Sequence, residues 1–194
     1  TRLFGHFNAA NLLAVLAVVV ENGLSLDEAA KQLAQVKPIA GRMERFGGRN
    51  HLPLVVVDYA HTPDALEKVL QALRKHTTQA LWVVFGCGGD RDRGKRALMG
   101  KIAEQLADHV VLTDDNPRSE DPDKITDDIR SGMRAEVKVV HRRAQAISEV
   151  IESAVEGDIV LLAGKGHEDT QQIGAEKFHF SDREVVTQIL GEAA

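Results

Sequence analysis

The chain has 194 residues, a formal charge of −5 and a single cysteine. That length allows one sizeable core with a smaller attached piece. Acids and bases are interspersed, so no basic face argues for nucleic acid, and one cysteine rules out an internal disulfide framework and suits a reducing cytoplasm. The longest apolar stretch, residues 12–20, is too short to cross a bilayer and lacks a signal-peptide layout, so no membrane partner is expected.

Thr1-Arg2-Leu3-Phe4-Gly5 enters a helical pattern without an initiator methionine, which reads as a fragment of something longer. Residues 8–20 form an Ala/Leu/Val-rich helix, and Ser25-Leu26-Asp27-Glu28 reads as a cap before a second helix reaching about Gln35. Lys37-Pro38 breaks the pattern, and residues 41–48 read as connector or edge strand. Short apolar runs at 54–58, 81–85, 110–113, 137–140 and 159–163 then suit buried parallel strands. Helical spacing fills 63–75, 94–106, 122–130 and 143–155 between them. Residues 178–180 read as a last edge strand, and Ser181-Asp182 as the cap of a final helix to Leu190. This alternation predicts an α/β fold, a doubly wound parallel sheet with right-handed crossovers. Residues 1–38 carry no strand and read as the tail of a preceding domain, leaving 39–194 as the α/β domain with a hinge near 37–48.

The run at 110–113 leads into Asp114-Asp115-Asn116-Pro117-Arg118. Pro117 locks its own φ and restricts Asn116, so Arg118 leaves a stiffened backbone. Ligands of open α/β sheets sit at the carboxyl ends of the parallel strands, where this turn would lie. A rigidly held guanidinium there suits bidentate capture of a carboxylate. Asp121 and Pro122 read as N-cap and first residue of the next helix.

Three more strand ends carry residues that a core does not need: Asp58-Tyr59-Ala60-His61-Thr62-Pro63-Asp64, the glycine-rich Gly86 to Lys95, and Gly164-Lys165-Gly166-His167-Glu168-Asp169. All four should converge on one edge of the sheet. The glycines of the second loop permit close approach of a ligand, or form a plain turn with a solvated charge run. Arg91 lies nearest the strand end in that loop. From Gly89 the loop almost spells a phosphate-binding motif, but Arg96 stands where Ser or Thr must hold magnesium. Gly-x-Gly at 164–166 has no completion, which argues against a dinucleotide. Glu168 would receive a ligand ammonium while Gly164 lets that ligand approach the backbone. Asp58 suits a ribose hydroxyl pair, or a metal shared with His61, His167, Glu168 and Asp169; that rival is a metal-dependent hydrolase, although no tight ligand spacing supports it. A non-catalytic nucleotide-binding module is a third reading, weakened by both failed fingerprints. Cys87 reads as a buried small residue, since no base accompanies it.

With these residues assembled, the chain resembles the C-terminal part of a Mur ligase, one of the ATP-dependent amide-forming enzymes of peptidoglycan precursor synthesis. The likeness runs end to end and is most specific at Asp115-Asn116-Pro117-Arg118, which is similar to the recognition signature of the meso-diaminopimelate-adding members. The resemblance implies a Rossmann-like, mostly parallel sheet flanked by helices, preceded by two helices from the end of a central ATPase domain. It implies that Arg91, Asp115, Asn116, Pro117, Arg118, Gly164 and Glu168 bind meso-diaminopimelate, and that Asn8, Asn11, Arg42 and Asp58 contact ATP. Asn8 and Asn11 read from sequence alone as helix caps. The implied chemistry joins meso-diaminopimelate to UDP-N-acetylmuramoyl-L-alanyl-D-glutamate in the cytoplasm through an acyl phosphate, with Mg2+ neutralising phosphate charge. The chain departs from the family in lacking Gly-x-x-x-x-Gly-Lys-Ser/Thr and anything like a UDP-sugar-binding domain. It should therefore hold the amino-acid pocket and part of the ATP contact surface, and not turn over by itself.

Overall fold

A computed structural model describes residues 6–36, 39–77 and 79–191. It divides into two units, residues 1–39 and 40–194. In the first, α1 (His6–Glu21) is followed by α2 (Leu26–Ala34), whose Ser25 cap accepts the Glu28 N–H at 3.3 Å. Asn8 and Asn11 lie within α1, three residues apart on one face, so neither is the cap that the sequence suggested. The break at Lys37-Pro38 falls outside the described residues. Among the described residues, no helix is long and apolar enough to cross a membrane.

In the second unit, six strands make one sheet: β1 (Glu44–Gly47), β2 (Leu54–Asp58), β3 (Leu81–Phe85), β4 (His109–Leu112), β5 (Lys138–Val139) and β6 (Ile159–Ala163). Their order is β1-β2-β6-β3-β4-β5. Only β1 is antiparallel, pairing Glu44 with Val57 along the edge. The helices are α3 (Pro63–Arg74), α4 (Gly94–Leu106), α5 (Pro122–Arg130), α6 (Arg143–Ser153) and α7 (Asp182–Leu190). Strands 54–58, 81–85 and 159–163 and helices 94–106 and 122–130 keep the limits read from the sequence. The strand runs are apolar apart from the closing Asp58, and helix starts are marked by caps: Asp121 caps α5 and Pro122 opens it, while Ser181 caps α7.

Alternate residues of the central strands split the core into two faces. Val55, Val57, Val84, Val111, Val160 and Leu162 pack against Ala146, Ile147, Val150 and Ile151 of α6 and Val186 of α7. The residues between them, such as Val56, Val83, Phe85 and Leu161, are fully buried on the opposite face, where α3, α4 and α5 pack side by side. The connections after β2, β3 and β4 lead to that face, whereas the chain after β6 leads to α7. This reversal opens a crevice at the carboxyl ends of β2, β6, β3 and β4.

Two expectations are corrected. Residues 178–180 do not extend the main sheet: β8 (Glu176–His179) pairs with β7 (Thr170–Ile173) in a separate antiparallel hairpin. Thr170–Ile173 is polar enough to carry no strand signal. The strand expected at 137–140 shrinks to two residues, because β5 pairs with β4 only at Lys138 and Val139.

Candidate functional site

The turn after β4 is gripped from two sides. A Cβ on Gly86 would overlap the Thr113 carbonyl, and one on Gly89 that of Pro117. These glycines admit a neighbouring segment of the chain, not a ligand, which corrects the ligand-approach reading of that loop. On the other side sits the hairpin. Gln171 Nε2 donates to the Asp115 carbonyl at 2.9 Å and the Gln172 N–H to Asn116 Oδ1 at 2.8 Å. The Arg118 N–H donates to the Gln172 carbonyl at 3.1 Å, and the Gly174 N–H to that of Arg118 at 2.7 Å. Held this way, Arg118 adopts φ 53°, a left-handed conformation that costs about 1–3 kcal/mol.

The side chain of Arg118 is as closely placed as its backbone. Nη1 donates to the Gly89 carbonyl at 2.8 Å, while Nε and Nη2 have no partner among the described residues. Those two N–H groups form the parallel edge that meets a carboxylate bidentately. Arg91 is exposed and donates to the Asp90 carbonyl at 3.1 Å.

Asn116 joins this cationic side to Glu168. Its Nδ2 donates to Glu168 Oε2 at 3.1 Å and to Asp115 Oδ1 at 2.8 Å. Glu168 is about one-third exposed, and its Oε1 has no partner among the described residues. Beneath it lies a buried charge cluster. Lys165 Nζ, fully buried, stands 3.4 Å from both Asn116 Oδ1 and Glu168 Oε2 and 4.0 Å from Asp115 Oδ1. Arg143 donates twice to Asp182 at 2.7 Å, with both side chains fully buried, and once to the Ala163 carbonyl at 3.0 Å. Burial pushes the Asp115 carboxyl up, opposed by Arg143 and Lys165, and pushes the Lys165 ammonium down, opposed chiefly by Asp115. Three carboxyl groups, on Asp115, Glu168 and Asp182, thus face two basic side chains, Arg143 and Lys165, and Glu168 is the member that reaches solvent. Gly164, at φ 114°, packs against this cluster: a Cβ there would stand 2.7 Å from Asp115 Oδ2.

Of the residues assigned to ATP, Asn8 and Asn11 belong to the first unit, Arg42 and Asp58 to the second. Arg42 is exposed, with its guanidinium 4.7 Å from the centre of the Tyr59 ring. Asp58 accepts the Met43 N–H at 2.8 Å and the Ala60 N–H at 2.9 Å. Burial raises its pKa and those two bonds oppose the rise. Asp58 therefore ties down the backbone next to Arg42.

The hydrolase reading fails on geometry. Among the described residues no three His, Cys, Asp or Glu side chains gather to hold a metal ion. His61 Nδ1 lies 2.8 Å from the Tyr59 carbonyl, and His167 is exposed with its ring 5.4 Å from that of Tyr59. Cys87 is buried against Met99, and burial raises its thiol to about 12, which leaves it unreactive.

Sequence reasoning missed Arg96, Arg143, Lys165 and Asp182 as buried charges. A signal for the arginines exists. On α4 the buried residues are Arg96, Met99, Gly100 and Ala103, and on α6 Arg143, Ala146, Ile147, Val150 and Ile151. Each arginine occupies the first position of an apolar i, i+3, i+4, i+7 stripe, where a charge needs a buried partner.

A mostly parallel sheet with helices on both faces, and a charged crevice at the carboxyl ends of its strands, defines a Rossmann-like ligand-binding domain. The family described as Mur ligase, glutamate ligase domain, matches residues 41–166, and the chain belongs to the Mur ligase family. It is 56% identical over 98% of its length to UDP-N-acetylmuramoyl-L-alanyl-D-glutamate–2,6-diaminopimelate ligase from Alkalilimnicola ehrlichii, and 54% identical over 97% to that of Vibrio vulnificus. The chain spans about 38% of the length of these relatives. A solved structure of such a ligase superposes with a TM-score of 0.77 at 44% identity, covering 97% of this chain and 39% of that one. UDP-N-acetylmuramate–alanine ligase from Thermotoga maritima shares the fold with a TM-score of 0.70 at 24% identity, covering 97% and 38% of the two chains.

Proposed function

We propose that this chain is the part of an ATP-dependent amide ligase that captures meso-diaminopimelate for addition to UDP-N-acetylmuramoyl-L-alanyl-D-glutamate, in the cytoplasmic synthesis of peptidoglycan precursors. One observation carries the reading: Asn116 bridges an arginine with an open bidentate edge to a carboxylate with an open oxygen. Such a pair fits the carboxylate and ammonium of one amino-acid end. Diaminopimelate has two such ends, and lysine lacks the distal carboxylate. Lysine in this site would leave Arg118 facing no anion, a mismatch that discriminates far better than a missing methylene. The open oxygen of Glu168 suits an ammonium, and the names of the relatives agree with this substrate.

Residues 39–194 would then be the amino-acid-binding domain, and residues 1–38 the last helices of the ATP-binding domain. ATP would supply the phosphoryl group that activates the D-glutamyl carboxylate as an acyl phosphate. Arg42 suits its phosphates, being exposed and oriented by Tyr59. Asn8 and Asn11, one helical turn apart, suit its base, and Asp58 would face the ribose while holding the Arg42 segment. Magnesium would accompany the ATP phosphates and neutralise their charge, held mostly by the central ATP-binding domain.

Calorimetric titration of the chain with meso-diaminopimelate, with L-lysine as control, tests the proposal. Binding of the first and not the second is expected, with loss of that preference in Arg118→Ala. Equal binding of both compounds, or of neither, would overturn the assignment of the pocket to this chain.

A further inference from the structure

Glu120 follows the recognition turn and directly precedes the cap of α5, a place where a carboxylate is ordinarily solvated. Here its side chain is only 11% exposed. Oε1 accepts the Asp90 N–H at 2.6 Å and Arg96 Nη2 at 2.9 Å; Oε2 accepts Arg96 Nη1 at 3.0 Å and lies 3.1 Å from Arg93 Nη2. Arg96, fully buried, also donates to the Gly88 carbonyl at 3.2 Å and to Asp128 at 2.9 Å. A second fastening runs beside the first. Asp90 accepts the Ser119 hydroxyl at 2.7 Å and the Ser119 N–H at 3.2 Å.

These bonds join two segments that need not be joined to complete the sheet. They attach one residue away from each of two arginines: Asp90 precedes Arg91, and Ser119 follows Arg118. Asp90 and Arg118 both stand at φ 53°, so each arginine leaves a backbone that would relax if released. A buried Arg–Glu pair is a poor way to add stability, since desolvation offsets most of the attraction, but it fixes register. The resemblance assigns both arginines to meso-diaminopimelate, and groups that address one ligand must be held to within about half an ångström of their working geometry.

We infer that Glu120, with Arg96 and the Asp90–Ser119 pair, is a positioning device that sets the spacing between Arg91 and Arg118 and so the preference for a ligand with a distal carboxylate. The inference rests on the proposed reading of the two arginines. Glu120 acts through them and touches no substrate.

The test uses the chain with Glu120→Gln and, as a milder variant on the exposed side, Ser119→Ala. Calorimetric affinity for meso-diaminopimelate and for L-lysine is measured together with hydrogen exchange at the Gly89, Asp90 and Arg118 amides. Glu120→Gln should speed exchange at Asp90 and Gly89 and weaken meso-diaminopimelate on the order of tenfold, the scale on which outer partners act on groups they orient. Ser119→Ala should do the same to a smaller extent without lowering the melting temperature. In an Arg91→Ala background, Glu120→Gln should cost little more affinity, because its effect passes through Arg91; a purely structural role would leave the two losses additive. Faster exchange with unchanged affinity in wild-type background, or additive losses, would overturn the inference while leaving the substrate reading intact. Wild-type chain that binds neither compound would overturn both.

Discussion

The two edges of the sheet both gather carboxylates, and use them differently. At the amino edge, Asp158 accepts the Ala80 N–H at 3.0 Å, the Val155 N–H at 3.0 Å and the Trp82 indole N–H at 3.1 Å. Asp108 accepts the Leu81 N–H and Arg74, each at 2.7 Å. Fixed donors consume these charges, and the strand starts are pinned. At the carboxyl edge, Asp115, Glu168 and Asp182 face two basic side chains, Arg143 and Lys165, and Arg118 and Glu168 each keep an open face. One residue type thus closes one end of the sheet and leaves the other able to take a ligand. A groove of about 440 Å³ lies near the amino edge, lined by Leu70, Arg74, Leu106 and Asp108 among others, yet it gathers none of the open charges.

The comparison can be broken most forcefully beneath the carboxyl edge. Asp182→Ala leaves the Arg143 charge buried and unpaired, so urea denaturation should show a loss of about 3–5 kcal/mol, most of it recovered by Arg143→Met with Asp182→Leu. Asp158→Ala removes three accepted hydrogen bonds and should cost about 2–3 kcal/mol of stability with meso-diaminopimelate affinity unchanged. A fall in affinity there would erase the distinction between the edges. Glu168→Gln should do the reverse, leaving stability within about 0.5 kcal/mol while titration shows affinity lower by about tenfold or more.

The smallest effects concern protons. Arg96, chiefly, holds Glu120 down at about 2. Its contribution is therefore complete above the ordinary value of 4.5 and is lost as pH falls toward about 2. His141 lies 2.8 Å from Asp114 and 3.0 Å from Asp123, and the hydrogen bond to Asp114 raises its pKa above 6.5. That contribution is complete below 6.5 and fades as pH rises through the raised value. The melting temperature of His141→Gln should lie below that of wild type at about pH 5.5 and converge with it by about pH 9.

The layered sheet was legible because its central strands are unbroken apolar runs and α3, α5 and α7 carry recognisable caps. Leu54–Asp58, Ile159–Ala163 and the Asp121-Pro122 start of α5 needed no tertiary information. The stiff turn after β4 was legible too, since Pro117 announces it. What stayed hidden depends on partners far along the chain. Arg143 meets Asp182 across 39 residues, and Arg96 meets Glu120 across 24. A charge on a helix reads as surface until its partner is known. For the glycines at 86 and 89 the sequence left a ligand and a plain turn both open, because the segment that fills the space beside them arrives later in the chain. The β7–β8 hairpin lay below any periodic signal, its first strand being polar.

That hairpin bears on attempts to move the turn after β4 from one scaffold to another. The tetrapeptide at 115–118 owes its shape to backbone bonds with Gln172 and Gly174, to glycines that leave room for it, and to an arginine seated on the Gly89 carbonyl. Pasting those four letters into a foreign loop would transplant a spelling without its pronunciation. The smallest graft that keeps its shape is a three-part cassette: the glycine loop, the turn and the hairpin.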